Sequence, residues 1–579
     1  MFDMGRGPQG GEACLINKLK RGGVKEMKKK LISSLLVLAM AFGLLTGCGG
    51  SGGNDAGGAG TSDSGSAESD AGSGTEGAVS DGTTTKTSYG EYTAENPYHL
   101  TFAYVEFYNQ DEAARAAVQD ALNEYMIPNY HMEVEFLPMG AAEWQSTVQL
   151  MLSGGDPLDV MPVYYVQAAS WINMNGIFDM SPLMETADGQ KIIEALGEEN
   201  AYVGNMNGVL YGFPANKESV ELGGLCMRAD ICDELGITEE YGLGDKNDAF
   251  SGEALDWSEA EKIFAKVKEA HPEMIPLYLS SQDQLNRFAD FDYLVDYFGG
   301  LDLQKDRNST TIVNIFETDT FKNAVSLLAD WYDKGYIYKD AATDTQGTAT
   351  MMKAGNTFSY ATAIKPGFLA EAETANGCEC YALYFKTGGG SDGYITTTNV
   401  SFYNTGIANN SEDPEMAFKF ISALYSDSTV YNLWQNGIEG VNYKLLDDGT
   451  AYFVDGEDGG NFKYHQNTGW CMGNQFNSLV WNDGSKSADY WDLLRTHNDN
   501  AYYSPVFGFL WDSSNYATQI TALNNAWDTY RATLLTGSCG SANVDSTIQA
   551  LNDALYASGL EEVMAGKQEQ LDAWVSANK

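Results

Sequence analysis

The chain has 579 residues, with 80 Asp and Glu against 34 Lys and Arg, and its net charge at pH 7 is −46. A polyanion of this size repels nucleic acid, which argues against a nucleic-acid partner. Once a leader and a low-complexity segment are set aside, roughly 480 residues are left, enough for two or more domains of ~100–200 residues.

A short apolar run from Leu31 to Leu45 follows Lys28–Lys30 and leads to Cys48. The run is shorter than the ~20 residues that span a bilayer, and a basic start followed by apolar and then small residues is the order of a secretory signal. The Cys resembles the lipobox Cys of bacterial lipoproteins. We therefore predict cleavage before Cys48 and a lipid on that residue. The residues before Met27 do not fit a signal, which favours translation from Met27 rather than Met1.

Residues 49–97 are rich in Gly, Ser, Asp and Thr and have few large apolar side chains. Such a segment cannot bury enough surface to order itself, so we predict a disordered tether. Beyond it, no stretch reaches 18 consecutive apolar residues, and we predict no transmembrane helix in that part of the chain.

Strands and helices alternate at the start of the predicted folded part. In chain order they are the strand His99–Val105, the helix Glu112–Ile127, the strand His131–Leu137, the helix Trp144–Leu152 and the strand Leu158–Val163. Short links between alternating strands and helices indicate an α/β domain with a parallel sheet.

A second domain is predicted after Pro214. Its apolar periodicity predicts helices at Trp257–Ala270, Phe321–Lys334 and Pro414–Tyr425, strands at Ile275–Leu279, Asn356–Ala361 and Tyr381–Phe385, and a hairpin at Tyr443–Val454. We expect the strand Asn356–Ala361 to return the chain to the first domain and Tyr381–Phe385 to add a strand there. Asn410 or Ser411 is expected to cap the helix that begins at Pro414.

Four stretches in order along the chain have the features of one family. They are Leu152–Val160 (Leu-Ser-Gly-Gly-Asp-Pro-Leu-Asp-Val), Asn207–Pro214, Met227–Gly236 and Val506–Trp574. Together, and behind a lipobox, they resemble family 1 extracellular solute-binding proteins of ABC importers. The last stretch is similar to the C-terminal domain of the YtcQ/LipO-like subgroup. The sequence departs from the family pattern at Val209, where a Lys usually follows the Gly.

The resemblance implies an α/β, two-lobed, periplasmic-binding-protein-like fold with three hinge crossings and a helical C-terminal region. The expected N-terminal lobe comprises residues 98–213 and 361–408, and the expected C-terminal lobe comprises 214–360 and 409–579, with the subgroup region from about 500. Several crossings between two lobes make a hinge, and closure about it buries a small ligand.

Sequence motifs for catalysis and metal binding are missing. The five His are scattered without an H-E-x-x-H motif, and the chain has no P-loop motif. Asp455–Gly459 lacks the Asp/Asn ladder of a calcium loop, and paired CxxC motifs do not occur. We predict no catalytic residues, no metal and no cofactor, although sequence alone leaves a glycosidase carboxylate pair open.

Six cysteines lie beyond Cys48, and they allow fifteen pairings between which sequence cannot choose. We favour mostly buried free thiols, with one or two bridges left open. These residues are Cys226, Cys232, Cys378, Cys380, Cys471 and Cys539.

Aromatic and amide side chains are the natural ligands of sugars, because rings stack on sugar faces and amides bond to hydroxyls. Some of the predicted binding residues follow strand ends, where ligands bind in open α/β sheets, and others lie at the crossings. Others lie on a loop next to a helix or just before the C-terminal helices. The rest belong to a Trp-x-x-Gly-Asn-Gln stretch that resembles a feature of the subgroup. They are Phe107, Tyr108, Tyr164, Tyr165, Asn216, Tyr360, Glu439, Tyr443, Trp470, Asn474, Gln475 and Trp511. Core packing or a hinge role is the alternative for these residues.

The sequence therefore predicts a monomeric, lipid-anchored receptor of an ABC importer at the extracellular face of the cytoplasmic membrane of a Gram-positive cell. It would bind a carbohydrate, an oligosaccharide in our interpretation, and deliver it to permease subunits without catalysing a reaction. The alternatives are a cell-surface glycoside hydrolase or polysaccharide-processing lipoprotein, and a peptide or modified-sugar receptor of the same fold.

Overall fold

The computed structural model describes residues 77–578 except 109, 245–247, 253, 281–284, 387–392 and 483–485. The predicted signal, the Cys48 lipidation site and most of the predicted tether lie outside the described residues. In the described part of the chain, no helix is long and apolar enough to cross a membrane.

The strands range from two to nine residues. In chain order they are β1 Val79–Ser80, β2 Thr85–Lys86, β3 Glu91–Tyr92, β4 Tyr98–Glu106, β5 Met132–Gly140, β6 Val160–Tyr164, β7 Asn205–Met206, β8 Val209–Leu210, β9 Phe213–Pro214, β10 Gly223–Arg228, β11 Ile275–Tyr278, β12 Phe291–Asp292, β13 Leu301–Asp302, β14 Thr357–Ala363, β15 Cys380–Tyr384, β16 Tyr394–Ile395, β17 Tyr403–Ile407, β18 Tyr443–Leu445, β19 Ala451–Phe453 and β20 Tyr502–Tyr503.

The helices include several of ten or more residues. In chain order they are α1 Glu112–Tyr130, α2 Trp144–Gly154, α3 Tyr165–Asn173, α4 Ala187–Leu196, α5 Glu198–Ala201, α6 Ala229–Glu234, α7 Ile237–Glu240, α8 Ala260–Ala270, α9 Asp319–Asp333, α10 Thr348–Lys353, α11 Phe368–Asn376, α12 Thr397–Val400, α13 Pro414–Ser426, α14 Ser428–Asn436, α15 Tyr490–Asn500, α16 Ala517–Leu535, α17 Val544–Ala557 and α18 Leu560–Asn578.

The first lobe is built on a five-stranded sheet of order β5-β4-β6-β17-β9. Strand β4 is parallel to β5 and β6, whereas β17 is antiparallel to β6. Buried side chains of the sheet pack against α13 and α14, as when the Phe102 ring meets Phe420 at 5.0 Å and Trp434 at 5.5 Å. The Asp111 side chain caps α1 by accepting from the Ala114 N–H, which fixes where that helix begins.

The second lobe is built on a four-stranded sheet of order β11-β14-β10-β15, in which β10 is antiparallel to both neighbours. Its core includes Trp257, stacked on Phe385 with ring centroids 3.8 Å apart, and Trp331. The C-terminal helices α16, α17 and α18 add Trp527, Leu551 and other buried side chains to the same core. The helical C-terminal region therefore belongs to the second lobe, and the α/β fold class agrees with the sequence prediction.

Three segments of chain pass between the lobes and meet side by side. The first joins β9 to β10, the second joins β15 to β17 and the third leads from the first core to β20 and the C-terminal helices. Glu221 of the first pairs with Tyr394 of the second, and Tyr394 pairs in turn with Tyr502 of the third. Asn216 and Asn474 form a further bridge between the first and third segments. This three-stranded connection is the hinge.

Several predicted elements lie elsewhere than expected. Strands β14 and β15 do not enter the first sheet, because Leu225 of β10 pairs with Ala361 on one side and Leu383 on the other, and all three are buried. The second crossing therefore follows β15 instead of lying at Tyr360. The third crossing does not follow residue 408, where the predicted N-terminal lobe ends, since α13 and α14 pack in the first core. Asp413, not Asn410 or Ser411, caps α13.

The predicted tether, residues 49–97, includes residues that belong to the folded part of the chain. Strands β1, β2 and β3 form a ribbon that hydrogen-bonds to the first lobe, where Tyr92 Oη donates to Asp413 Oδ2 at 2.9 Å and Thr85 Oγ1 contacts His131 Nδ1 at 2.9 Å. These polar contacts and the packing of the Tyr92 ring on Tyr98 attach the ribbon to the first lobe. Sequence composition does not reveal such contacts, because their partners are distant in the chain.

The six cysteines beyond Cys48 are free thiols, and Cys226, Cys232, Cys380 and Cys471 are buried. Among the described residues, no group of His, Cys, Asp or Glu has the arrangement of a metal site.

Candidate functional site

Six aromatic side chains form a continuous chain of ring contacts at one edge of the first sheet, which we call the aromatic row. The row consists of Phe107, Trp470, Tyr403, Tyr164, Phe402 and Tyr165. Ring centroids are 4.9 Å apart for Phe107 and Trp470, 5.7 Å for Trp470 and Tyr403, and 5.5 Å for Tyr403 and Tyr164. Tyr164 continues the row to Phe402 at 4.9 Å and to Tyr165 at 4.8 Å.

Strand direction explains why these rings meet. Phe107 follows the end of β4 and Tyr164 ends β6, and the carboxyl ends of parallel strands lie at the same edge of a sheet. Strand β17 is antiparallel to β6, so its first residue, Tyr403, pairs with Tyr164. Ligands bind outside this edge in open α/β sheets.

Part of the row faces solvent. Phe402 is 37% exposed, Phe107 and Trp470 are half-buried, and Tyr164, Tyr165 and Tyr403 are buried beneath them. The buried rings hold the exposed ones in place, which leaves a rigid aromatic surface. A surface of this kind can stack against flat apolar faces of a ligand.

Tyr108 lies beside the row on the same loop as Phe107. Its ring contacts Phe462 at 6.1 Å, and its hydroxyl accepts from Asn467 Nδ2 at 3.3 Å. Gln110 joins the two loops by donating to Tyr108 O and to His465 O. The loop after β4 and the loop that carries Trp470 are therefore held together.

The predicted amides lie at the hinge. Asn216 and Asn474 hydrogen-bond mainly to the protein itself: Asn216 Nδ2 donates to Ala195 O at 2.6 Å and Asn474 Nδ2 donates to Tyr425 O at 3.0 Å. Gln475 is half-buried, and its Nε2 donates to Glu218 Oε2 at 3.1 Å. Asn216 and Asn474 therefore hold backbone segments together at the hinge.

Charged groups surround Glu218 at the hinge. Lys365 Nζ lies 2.9 Å from Glu218 Oε1, and Lys217 Nζ donates to the Glu218 carbonyl at 2.7 Å. Burial raises the pKa of Glu218, but Lys365 and Lys217 outweigh it and hold that pKa at about 2. Burial lowers the pKa of Lys217. Burial raises the pKa of the Cys471 thiol, and the positive charge of Lys217 opposes that rise.

Four further predicted residues are neither in nor beside the row, nor among the amides at the hinge. Tyr360 is on β14 in the second lobe, where its hydroxyl accepts from Asn376 Nδ2 at 3.2 Å. Tyr443 is buried against Trp481, and Glu439 is exposed beside it. Trp511 is buried in the core of the second lobe.

Sequence reasoning missed Phe402 and Tyr403 of the row, and Lys365 at the hinge. The pair Phe402-Tyr403 lies at the start of a strand, as Tyr164-Tyr165 lies at the end of one. The first pair indicates a site residue only if β17 is known to be antiparallel to β6. Lys365 is 147 positions from Glu218, and no local pattern indicates their pairing.

Comparisons with known proteins agree with this architecture. Residues 120–443 match the family described as bacterial extracellular solute-binding protein, and residues 505–576 match a domain of unknown function, DUF3502. The carbohydrate ABC transporter substrate-binding protein of Streptococcus pneumoniae serotype 4 (strain ATCC BAA-334 / TIGR4) is 23% identical over 456 residues, 77% of this chain and 85% of that protein.

Two solved structures share the fold. The N-glycan transport solute binding protein NgtS of Streptococcus pneumoniae has a TM-score of 0.68 at 18% identity, over 83% of this chain and 100% of that chain. Its complex with Man1GlcNAc has a TM-score of 0.60 at 18% identity, over 83% and 99%. Because the family match spans more than half of its residues, this chain belongs to the bacterial extracellular solute-binding proteins, the assignment that its sequence motifs predict.

Proposed function

We propose that this protein is the receptor of an ABC importer and binds a carbohydrate between its two lobes for delivery to permease subunits. The observation on which the proposal rests is the aromatic row, a rigid and partly exposed surface at the ligand-binding edge of the first sheet. The names of the similar proteins, one a carbohydrate ABC transporter substrate-binding protein and one an N-glycan transport protein, support it. Its family is one of binding proteins, which supports capture without catalysis.

An oligosaccharide fits the row better than a single sugar. Phe107 and Phe402 stand at different points of the row, with Trp470, Tyr403 and Tyr164 linking them. Sugar rings present flat C–H faces to aromatic rings and place hydroxyls at their rims, where polar side chains can bond to them. Half-buried Gln475 and the charged groups around Glu218 lie at the hinge and provide such partners.

We place the receptor at the extracellular face of the cytoplasmic membrane of a Gram-positive cell, as a monomer held by a lipid on Cys48. The order of basic, apolar and small residues before Cys48 supports this. The ribbon of β1, β2 and β3 bonds to the first lobe, so a tether from Cys48 would attach to that lobe. Labelling cells with a clickable fatty acid should mark the wild type and not Cys48→Ala. Equal labelling of both proteins would contradict the anchor.

The test of carbohydrate binding is calorimetry of the purified protein against neutral oligosaccharides, with the ligand analysed afterwards by mass spectrometry. We expect binding of one molecule per chain and recovery of the intact oligosaccharide. Shortened products would instead support a glycoside hydrolase. Binding of a peptide library without binding of any sugar would support a peptide receptor of the same fold.

A further inference from the structure

The second lobe touches the aromatic row through the loop at Val295. The Tyr165 hydroxyl, at one end of the row, donates to the Val295 carbonyl at 3.4 Å. The Val295 side chain packs against the cores of both lobes. This loop is therefore a point at which the second lobe contacts the first.

A second segment, residues 510–512, also contacts the first lobe. Leu510 is 7% exposed and packs into the first core, while Asp512 Oδ2 accepts from Asn207 Nδ2 at 3.0 Å. Trp511, between them, is buried in the second core. We call residues 294–296 and 510–512 together the latch, since both contact the first lobe from the second.

Lys567, on the last helix α18, holds the first part of the latch. Its side chain is 0% exposed, and its Nζ lies 2.7 Å from Asp296 Oδ1 and donates to Gly299 O at 2.9 Å. The other carboxylate oxygen, Asp296 Oδ2, accepts from Trp511 Nε1 at 3.0 Å. Asp296 thus joins the two parts of the latch to each other and to α18.

Gln570, one turn further along α18, holds the second part. Its Oε1 accepts from the Asp512 N–H at 2.9 Å and its Nε2 donates to the Asp512 carbonyl at 3.0 Å. A side chain that satisfies both backbone groups of one residue fixes that residue's position. The contact between Asp512 and Asn207 therefore depends on α18.

The backbone of the latch is strained where it meets the row. Leu294 has φ of 50° and Val295 has φ of 91°, in the left-handed region that a β-branched residue rarely adopts. Such a conformation persists only when surrounding contacts impose it, and it is typical of functional loops. The ion pair of Asp296, the next residue, provides that constraint.

We propose that Lys567 and Gln570 are positioning residues for closure, so that the C-terminal helical region holds the latch against the first lobe and slows release of the bound ligand. The inference rests on the proposed receptor function. It assigns a role to residues 505–576, the domain of unknown function, that neither the family match nor the fold states.

The test compares the full-length double variant Lys567→Met/Asp296→Asn with the wild type. Met keeps the apolar stem of Lys, and Asn keeps an acceptor for the Trp511 indole, so neither member of the Lys567–Asp296 pair is left as a charge without its partner. The control is Lys322→Met/Asp545→Asn, which removes an ion pair between α9 and α17, 2.7 Å long and exposed, without touching the latch. Gln570→Leu is a second variant that leaves the ion pair intact.

The first measurement is hydrogen–deuterium exchange without ligand. We expect faster exchange in both latch variants at residues 293–299 and also at first-lobe residues 165–173 and 205–210, with the control at wild-type rates. A purely structural role within the second lobe would leave the first-lobe segments unchanged, and that result would overturn the proposal. If the double variant does not fold, Gln570→Leu decides by the same criterion.

The second measurement uses the neutral oligosaccharide that binds most tightly in the calorimetric panel. We expect the double variant to release it at least ~10-fold faster and Gln570→Leu ~3-fold faster, with similar association rates, because interface changes act mainly on dissociation. Unchanged release would overturn the proposal. Failure of the wild type to bind any oligosaccharide would contradict the proposed function, whereas the exchange experiment would still test the latch.

Discussion

The aromatic row and the latch meet where the Tyr165 hydroxyl donates to the Val295 carbonyl, yet they are constructed in different ways. The row consists of side chains at or next to the ends of adjacent strands and of one loop packed on them, and aromatic contacts hold it. The latch consists of strained backbone held by a buried ion pair and a glutamine on the last helix. Under the proposals above, the first lobe offers a rigid binding surface, whereas the second lobe supplies a contact whose strength depends on a distant helix.

The largest expected effect tests whether the row is the binding surface. Trp470→Ala removes the ring that joins Phe107 to Tyr403, and we expect oligosaccharide affinity to fall about 30-fold, which corresponds to about 2 kcal/mol. Calorimetry measures the change, and thermal unfolding checks that the variant folds. Tyr556→Ala is the aromatic control, since Tyr556 is on α17 of the second lobe and 43% exposed. Equal losses of oligosaccharide affinity in both variants would contradict the proposal that the row is the binding surface.

Unfolding at mildly acidic pH tests whether buried histidines of the first lobe and the hinge make the fold less stable in acid. Burial lowers the pKa of His465, stacked on Trp481 in the first lobe, to about 3, and that of His497, near Glu218 and Lys365 at the hinge, to about 4. Between these values and 6.5 the unfolded chain binds more protons than the folded one. Stability should therefore fall as pH drops from 6.5 towards 4, by up to about 1.4 kcal/mol for each unit of pKa shift.

Urea unfolding at pH 7 and pH 5 measures this loss. His465→Phe keeps the aromatic stacking and His497→Phe keeps the ring beside Phe250, so each variant should lose less stability than the wild type between the two pH values. An unchanged pH dependence in both variants would show that other groups cause it. The low pKa of Glu218 acts at lower pH, since its contribution is lost only between 4.5 and about 2.

The smallest expected effect concerns the hydrogen bond between the row and the latch. Tyr165→Phe removes the hydroxyl that donates to Val295 O and keeps the ring contacts with Tyr164 and Phe402. One such bond is worth about 0.5–1.5 kcal/mol, so the oligosaccharide should dissociate about 2- to 10-fold faster. Stopped-flow fluorescence follows the release. Tyr556→Phe is the control, since it removes a hydroxyl that donates to Glu317 Oε2 in the second lobe, and it should release ligand at a rate near that of the wild type.

Local sequence patterns predicted much of the first lobe. The strand at 99–105, the helix that begins at Glu112 and the helix that begins at Trp144 all lie within a few residues of their observed bounds. Because strand ends in such sheets meet at one edge, Phe107, Tyr164 and Tyr165 were predicted as site residues, and Trp470 followed from its flexible, amide-rich surroundings. The structure brings these four together in the row.

Contacts between distant residues account for what the sequence did not predict. Strand β15 pairs with β10 in the second sheet, the ribbon at residues 79–92 is ordered by Asp413 and His131, and Phe402 and Tyr403 join the row because β17 is antiparallel. Each depends on partners far away in the chain. Periodicity and composition describe a residue's neighbours along the chain and do not specify these partners.

By itself, the sequence determined the family, the α/β class and the kind of side chain available to a ligand, because motifs, apolar periods and aromatic content are local properties. Which aromatic residues share a surface, and which segments of the second lobe meet them, depends on how the chain packs in three dimensions. Tertiary packing also placed Lys567 beside Asp296, although 271 positions separate the two. Such a pairing arises from how the last helix packs, because a buried ammonium is costly unless it is paired and hydrogen-bonded.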